Sequence, residues 1–220
     1  MAEPPLSREG FAAAMACGAA GPGIDVSRET LERLTAYLEL LQRWQRAVNL
    51  VGASTLADPW RRHILDCAQI VEHVPATAET VVDLGSGAGL PGLVLALLGV
   101  KGVHLVESDQ RKAQFLREAA RIARAPVVVH ALRIKQLGGL HGDVVTARAL
   151  APLPRLLGLA EPVLPPRGVC LFLKGENALR ELTEARQSWH MQAEIVRSRS
   201  ESKGVLLKLQ GVGRASHRQS

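Results

Sequence analysis

Four glycines, Gly85, Gly87, Gly89 and Gly92, fall within eight residues in the run Val81-Val82-Asp83-Leu84-Gly85-Ser86-Gly87-Ala88-Gly89-Leu90-Pro91-Gly92. A strand that ends in glycines and turns into a helix brings backbone N–H groups close to a ligand, because glycine has no side chain to block the approach. Asp83 ends the apolar strand, and Glu107 closes the next one, Val103-His104-Leu105-Val106. A carboxylate at the second strand end can accept hydrogen bonds from both hydroxyls of a ribose. Arg148 and Lys174 end two later strands, at the edge where open α/β sheets bind ligands. Arg suits a carboxylate or a phosphate as a planar double donor.

Two cofactors fit the glycine run. Gly87 to Gly92 matches G-x-G-x-x-G, and Glu107 lies 20 residues beyond Gly87, which reads as an NAD-dependent oxidoreductase. Asp83 to Gly89 is acid-x-G-x-G-x-G, which resembles the first motif of class I S-adenosylmethionine-dependent methyltransferases. The glycines should follow the strand at once, and Gly85 does so while Gly87 comes late. A carboxylate at Asp83 suits the ammonium end of S-adenosylmethionine and would repel a pyrophosphate. The methyl donor is therefore the favoured cofactor, with Asp83, Gly85, Gly87 and Glu107 as its contacts.

The elements that must hold these residues follow from periodicity. Residues 1–79 read as a helical extension. Ser27 can cap a helix carrying Leu31, Leu34, Leu38, Leu41, Trp44 and Val48, which Asn49-Leu50-Val51-Gly52 ends. Asp58-Pro59 opens a second helix with Trp60, Ile64, Cys67, Ala68, Val71 and Val74 on one face, closed by Pro75. Arg61 and Arg62 point away from that face, toward solvent or RNA. His63 and Asp66, three apart, share a face, so that Asp66 can fix the histidine tautomer.

Residues 80–210 alternate strand and helix. Strands are expected at Val81–Leu84, Val103–Val106, Val127–Val129, Val144–Ala147 and Val169–Leu173. Helices are expected at Pro91–Leu98, Asp109–Arg124, Leu150–Leu164 and Ala178–Trp189. That order implies a parallel sheet with helices on both faces. Glu194–Arg199 and Val205–Gln210 form a terminal hairpin, an antiparallel edge that most dinucleotide-binding sheets lack. The fold class is α/β, a Rossmann-like class I methyltransferase with a mixed seven-stranded sheet, and residues 211–220 are expected to be a flexible tail.

No apolar run reaches the roughly 18 residues of a membrane span, and no secretion signal opens the chain. Cys17, Cys67 and Cys170 lack metal-ligand spacing and read as reduced, mostly buried thiols of a cytoplasmic protein. Residues 1–79 hold 7 Arg and no Lys against 10 acids, whereas the remainder holds 20 Lys and Arg against 11 acids. The basic excess on the half that carries the glycine run fits a polyanionic substrate.

No Asn-Pro-Pro-aromatic run and no Pro-Cys pair occur. Cys170 lies in an apolar strand with no base beside it, which argues against covalent attack on a pyrimidine. An acceptor that is already nucleophilic remains. Ring nitrogen 7 of guanine carries a free lone pair, so alignment and desolvation suffice and no dedicated catalytic residue is expected.

Val48-Asn49-Leu50-Val51, Arg62-His63-Ile64-Leu65-Asp66, the glycine run, Ala147-Arg148-Ala149 and Leu173-Lys174-Gly175 together resemble one family. It is the bacterial small-subunit rRNA guanine-N7 methyltransferases, also called glucose-inhibited division protein B. The resemblance spans about residues 30–210. It implies methylation of a guanosine in 16S rRNA, free or in the small ribosomal subunit, with no metal. Cofactor contacts are implied at Gly85, Leu90, the pair Ile134-Lys135, and Arg148. Substrate contacts are expected at Arg61, Arg62, Arg148 and Lys174. Lys135 stands where the family usually carries an acid. A contact made by backbone N–H would tolerate this change, and one made by the carboxylate would not. A non-catalytic RNA-binding protein of the same fold is the remaining alternative. With no unused apolar face, the chain is read as a monomer.

Overall fold

The computed structural model describes residues 3–18 and 23–215. The valine- and leucine-rich runs form β1 (Val81–Leu84), β2 (Val103–Val106), β3 (Val127–His130), β4 (Val144–Arg148) and β5 (Val169–Lys174), all parallel. β6 (Trp189–Arg197) and β7 (Val205–Arg214) form an antiparallel hairpin whose second strand pairs with β5. The sheet order is β3-β2-β1-β4-β5-β7-β6. The order reverses at β1, so a crevice opens beyond the carboxyl ends of β1 and β4. β1 is buried along its whole length, as a central parallel strand covered on both faces must be.

On one face, α4 (Gly92–Leu97) and α5 (Gln110–Ile122) pack Leu93 and Phe115 against Val81 and Leu105. On the other, α6 (Leu153–Ala160) and α7 (Ala178–Ala185) pack Leu156, Leu157 and Leu182 against Val82, Val145 and Phe172. The side chain of Asp109 accepts from Arg111 N and Lys112 N, which caps α5 and sets where it starts.

The amino-terminal helices join the first of these cores. α1 (Arg8–Ala16) and α2 (Arg28–Gln45) contribute Phe11, Met15, Leu34, Tyr37 and Leu41 to the cluster that holds β1 and α5. Ser27 caps α2 as expected, through Thr30 N. The Tyr37 hydroxyl donates to Ala88 O at 2.8 Å, which fastens α2 to the glycine loop. The stretch after Pro59 changes winding along its length: a π turn over Trp60–Leu65, α3 (Asp66–Ala68), then a 3-10 turn over Gln69–His73.

Several boundaries differ from the periodicity. α1 was not expected. α2 ends at Gln45, three residues before Val48, because the Gln45 side chain takes over the next backbone groups: it binds Leu50 N, Val51 N and Val51 O. The expected helix over Leu150–Leu164 begins only at Leu153, and the one expected to reach Trp189 stops at Ala185, with Trp189 opening β6. The tail expected over 211–220 is strand in its first residues. Residues 211–214 belong to β7, where the Arg214 guanidinium lies 4.0 Å over the Trp189 ring and pairs with Glu161; residues 216–220 lie outside the described residues. The three cysteines are free thiols; Cys67 and Cys170 are buried and Cys17 is exposed.

Among the described residues no helix is long and apolar enough to cross a membrane, and no cluster of three or more His, Cys, Asp or Glu could hold a metal ion.

Candidate cofactor and acceptor site

Gly85 follows β1 directly with φ +64°, and Gly87 has φ +53°. This left-handed region costs an L side chain about 1–2 kcal/mol. A Cβ on Gly85 would stand 2.5 Å from a methyl of Leu150, whereas one on Gly87 would meet nothing closer than 3.8 Å. The loop thus packs closely at Gly85 and is open at Gly87. Ser86 stabilises the return by donating to Asp83 O and accepting from Val106 N.

Asp83 does not reach the open side. It is fully buried, accepting from Thr146 Oγ1 at 2.9 Å and Gly92 N at 3.2 Å. Burial pushes its carboxyl up to about 6, with Ser86, Thr146 and Gly92 pulling the other way. The expected direct contact with an ammonium is therefore replaced by a tie between β1, β4 and the start of α4. A carboxylate at a parallel strand end can point into the sheet as readily as out of it, and here two donors draw it in.

Glu107 is placed as expected. One carboxylate oxygen accepts from Gly87 N at 2.9 Å and the other from Asp109 N at 2.8 Å. It borders a cavity of about 540 Å³ with Gly85, Gly87, Ile134, Lys135 and Leu150. Lys112, Arg133, Lys135 and Arg155 also border it, and none forms an ion pair among the described residues. A second cavity, about 390 Å³, adjoins it across Gly85 and Gly87 and is bordered by Leu90, Asn49, His63 and Arg148. Seven of the eight expected cofactor residues thus gather around one glycine loop, with Asp83 beneath it.

Arg148 ends β4 with its side chain turned onto the amino-terminal helices. It stands 3.3 Å from Asp66 Oδ2, 3.1 Å from His63 Nδ1 and 3.6 Å from Cys67 Sγ. Ala149 follows with φ +52°, a left-handed alanine that turns the chain sharply beside both cavities. Because a guanidinium only donates, His63 Nδ1 must accept; its Nε2–H then donates to Thr55 Oγ1 at 2.9 Å, and that hydroxyl donates to Gly52 O. Burial, then Arg148 and Arg62, hold the His63 ring down to about 3, so it is neutral at neutral pH.

The expected His63–Asp66 pairing is not formed. The π turn takes more residues per turn than a regular helix, so residues three apart no longer stack. Asp66 instead accepts from Ser200 and binds Arg148.

Two further expectations change. Arg61 was placed toward solvent or RNA, but it is drawn to Asp58 at 2.9 Å, Glu3 at 2.8 Å and Pro4 O. Arg62 is half exposed and pairs with Glu201 at 3.1 Å. Lys174 does not face outward for a phosphate; its side chain is drawn to Glu181 at 2.6 Å. Burial pushes the Cys67 thiol up to about 12 and raises Cys170 as well, so neither is a ready nucleophile.

Sequence reasoning missed Tyr37, Thr55 and Glu181. Tyr37 read as one more position in the α2 stripe, and the other two meet their partners only through the fold.

The sheet order and the loop at its reversal define a protein of the class I methyltransferase fold. Ribosomal protein L11 methylase from Lactobacillus delbrueckii subsp. bulgaricus is similar in fold, with a TM-score of 0.55 at 18% identity over 68% of this chain and 77% of that one. The GidB family model, described as rRNA small subunit methyltransferase G, matches residues 30–207. Proteins named ribosomal RNA small subunit methyltransferase G are similar over most of the chain. That of Rhodospirillum rubrum is 53% identical over 87% of this chain and 96% of its own length. That of Rhodospirillum centenum is 56% identical over 84% and 85%. This chain belongs to the rRNA small subunit methyltransferase G family.

Proposed function

We propose that this chain transfers a methyl group from S-adenosylmethionine to ring nitrogen 7 of a guanosine in 16S rRNA, in the cytoplasm and as a monomer. The observation that carries this reading is the pairing of Glu107 with Gly87 N at the floor of an open cavity, in a chain of this family. The residues present fit the cofactor. Glu107 keeps lone pairs for ribose hydroxyls, Gly87 leaves space that a Cβ would occupy, and about 540 Å³ lies within the range of small-molecule sites. Ile134 and Lys135 open a 3-10 turn, and the first N–H groups of such a turn have no partner within it. That favours a backbone contact to adenine, which Lys135 makes as well as an acid would.

Bound there, S-adenosylmethionine supplies an electrophilic methyl group on a sulfonium. An acceptor nitrogen with a free lone pair, such as N7, would take that methyl group without giving up a proton. The protein therefore needs no general base, which agrees with a neutral His63 and unreactive thiols. Gly85, Gly87, Leu90 and Arg148, which line the cavities at the loop, would hold and align the donor. Lys112, Arg133, Lys135 and Arg155 at the rim, together with Arg62, offer contacts to RNA phosphates.

Radiolabelled S-adenosylmethionine, incubated with the protein and either naked 16S rRNA or assembled small subunits, tests the reading. Label in the RNA is expected, with transfer weakening steeply as salt rises. Label in a metabolite and in neither RNA would overturn it. Calorimetry with S-adenosylhomocysteine and with NAD decides between the two cofactors, and the first alone is expected to bind.

A further inference from the structure

Beyond Arg148, the carboxyl ends of β4 and β5 open a third cavity of about 510 Å³. It shares Arg148 and Ala149 with the cavity beside the glycine loop, so the strained turn after β4 borders both. Leu150, Pro152 and Leu173 supply apolar surface, as a flat aromatic base requires. The polar groups are a matched set. Lys174 ends β5, with its side chain 9% exposed, and Glu181 lies on α7 at 17%.

The Lys174 ammonium donates to Glu181 Oε2 at 2.6 Å and to Ala151 O at 2.8 Å. An ammonium carries three N–H groups, so one is left over. Glu181 Oε2 also accepts from Leu153 N at 2.7 Å, while no hydrogen bond reaches Oε1 among the described residues. The pair therefore offers one donor and one acceptor side by side at the cavity wall. The other two carboxylates there are engaged differently. Asp66 is bound by Arg148 and Ser200, and Glu201 stands half exposed with Arg62.

We propose that Lys174 and Glu181 read the Watson–Crick edge of the acceptor guanine, and so set the base specificity of the reaction. The proposal rests on the guanine-N7 reading above. The third N–H of Lys174 donates to O6, and Glu181 Oε1 accepts from N1–H and the 2-amino group. Guanine presents an acceptor beside donors along this edge. Adenine presents a donor beside an acceptor, which would face Lys174 and Glu181 the wrong way round. A buried polar group left unmatched costs more than the bond it replaces is worth, so such a pair rejects adenine strongly. Holding the base by that edge leaves N7, on its far side, free to face the donor where the cavities meet at Arg148, Ala149 and Leu150.

The test uses the full chain and an RNA substrate carrying guanosine or inosine at the methylated position, once mass spectrometry has located it. Inosine keeps N7, O6 and N1–H but lacks the 2-amino group. The wild-type protein is expected to prefer guanosine by about tenfold in kcat/KM, the worth of one hydrogen bond to a charged acceptor. Glu181→Gln turns an amide N–H toward the base. It is expected to lower kcat/KM on guanosine by about tenfold or more and to abolish the preference over inosine, with S-adenosylhomocysteine affinity unchanged.

Equal losses on both bases in Glu181→Gln, or no preference in the wild type, would overturn the proposal, since a structural ion pair moves both substrates together. Should Glu181→Gln fail to fold, the wild-type comparison still decides. A wild-type protein that methylates no guanosine at N7 would instead overturn the reading on which the proposal rests.

Discussion

The guanidinium of Arg148, at the end of β4, stands 3.3 Å from the carboxylate of Asp66 at the start of α3. Through this contact the sheet edge and the amino-terminal helices form one continuous wall. His63 and Cys67 complete the shell around the guanidinium, and Ser200 in the β6–β7 turn holds Asp66 from the other side. A residue implied by resemblance as a ligand contact is thus also the bolt that holds the helical extension against the site.

Arg148→Ala strips Asp66 and His63 of a shared partner and leaves a largely buried carboxylate unpaired. The expected cost is about 3 kcal/mol of unfolding free energy, the usual outcome when one member of a buried pair is removed. Urea unfolding measures it. A loss below about 1 kcal/mol would mean that the extension docks independently of this contact.

The two glycines of the loop should respond differently to the same substitution. Gly85→Ala adds left-handed strain and drives a methyl into Leu150, so stability should fall by about 2 kcal/mol or more. Gly87→Ala carries the strain alone, about 1 kcal/mol, but fills space beside Glu107. Its main effect should be on S-adenosylhomocysteine affinity, down about tenfold by calorimetry. Equal affinity in wild type and Gly87→Ala would place the cofactor elsewhere.

Asp83 gives the fold a pH dependence of known sign. Its carboxyl is raised from 3.8 to about 6 by burial, so the folded state favours the protonated form. The stabilisation that this provides is complete below about pH 4 and is lost as pH rises through about 6. The advantage of wild type over Asp83→Asn should therefore shrink by about 2 kcal/mol between pH 4 and pH 7. Denaturation curves for both proteins across that range measure the difference. An advantage that grows with pH would mean that Asp83 is held ionised, as a contact to a cation would hold it.

The layout of the sheet was legible because its strands are short apolar runs between helices of clear period, and because the glycine loop follows β1 without a gap. The hairpin too was legible from two consecutive strand patterns. Its full length was not, since Gly211 and Gly213 within β7 read locally as breakers. Gln45 escaped notice as a helix stop because it acts by side-chain bonds to residues five and six ahead. Residue types around the cofactor loop were readable, but directions were not. Asp83 turns inward to Thr146, 63 residues away, and Lys174 turns to Glu181. The π turn that separates His63 from Asp66 has no signature in a periodicity that assumes regular helix.

Direct identification of the methylated nucleoside tests the central claim. Small-subunit rRNA treated with the protein and S-adenosylmethionine is digested to nucleosides and separated by mass. The account predicts a gain of 7-methylguanosine and of no other methylated nucleoside. A methyl group on an exocyclic nitrogen, on ribose or on a pyrimidine would contradict it, as would RNA that stays unmethylated while S-adenosylhomocysteine binds.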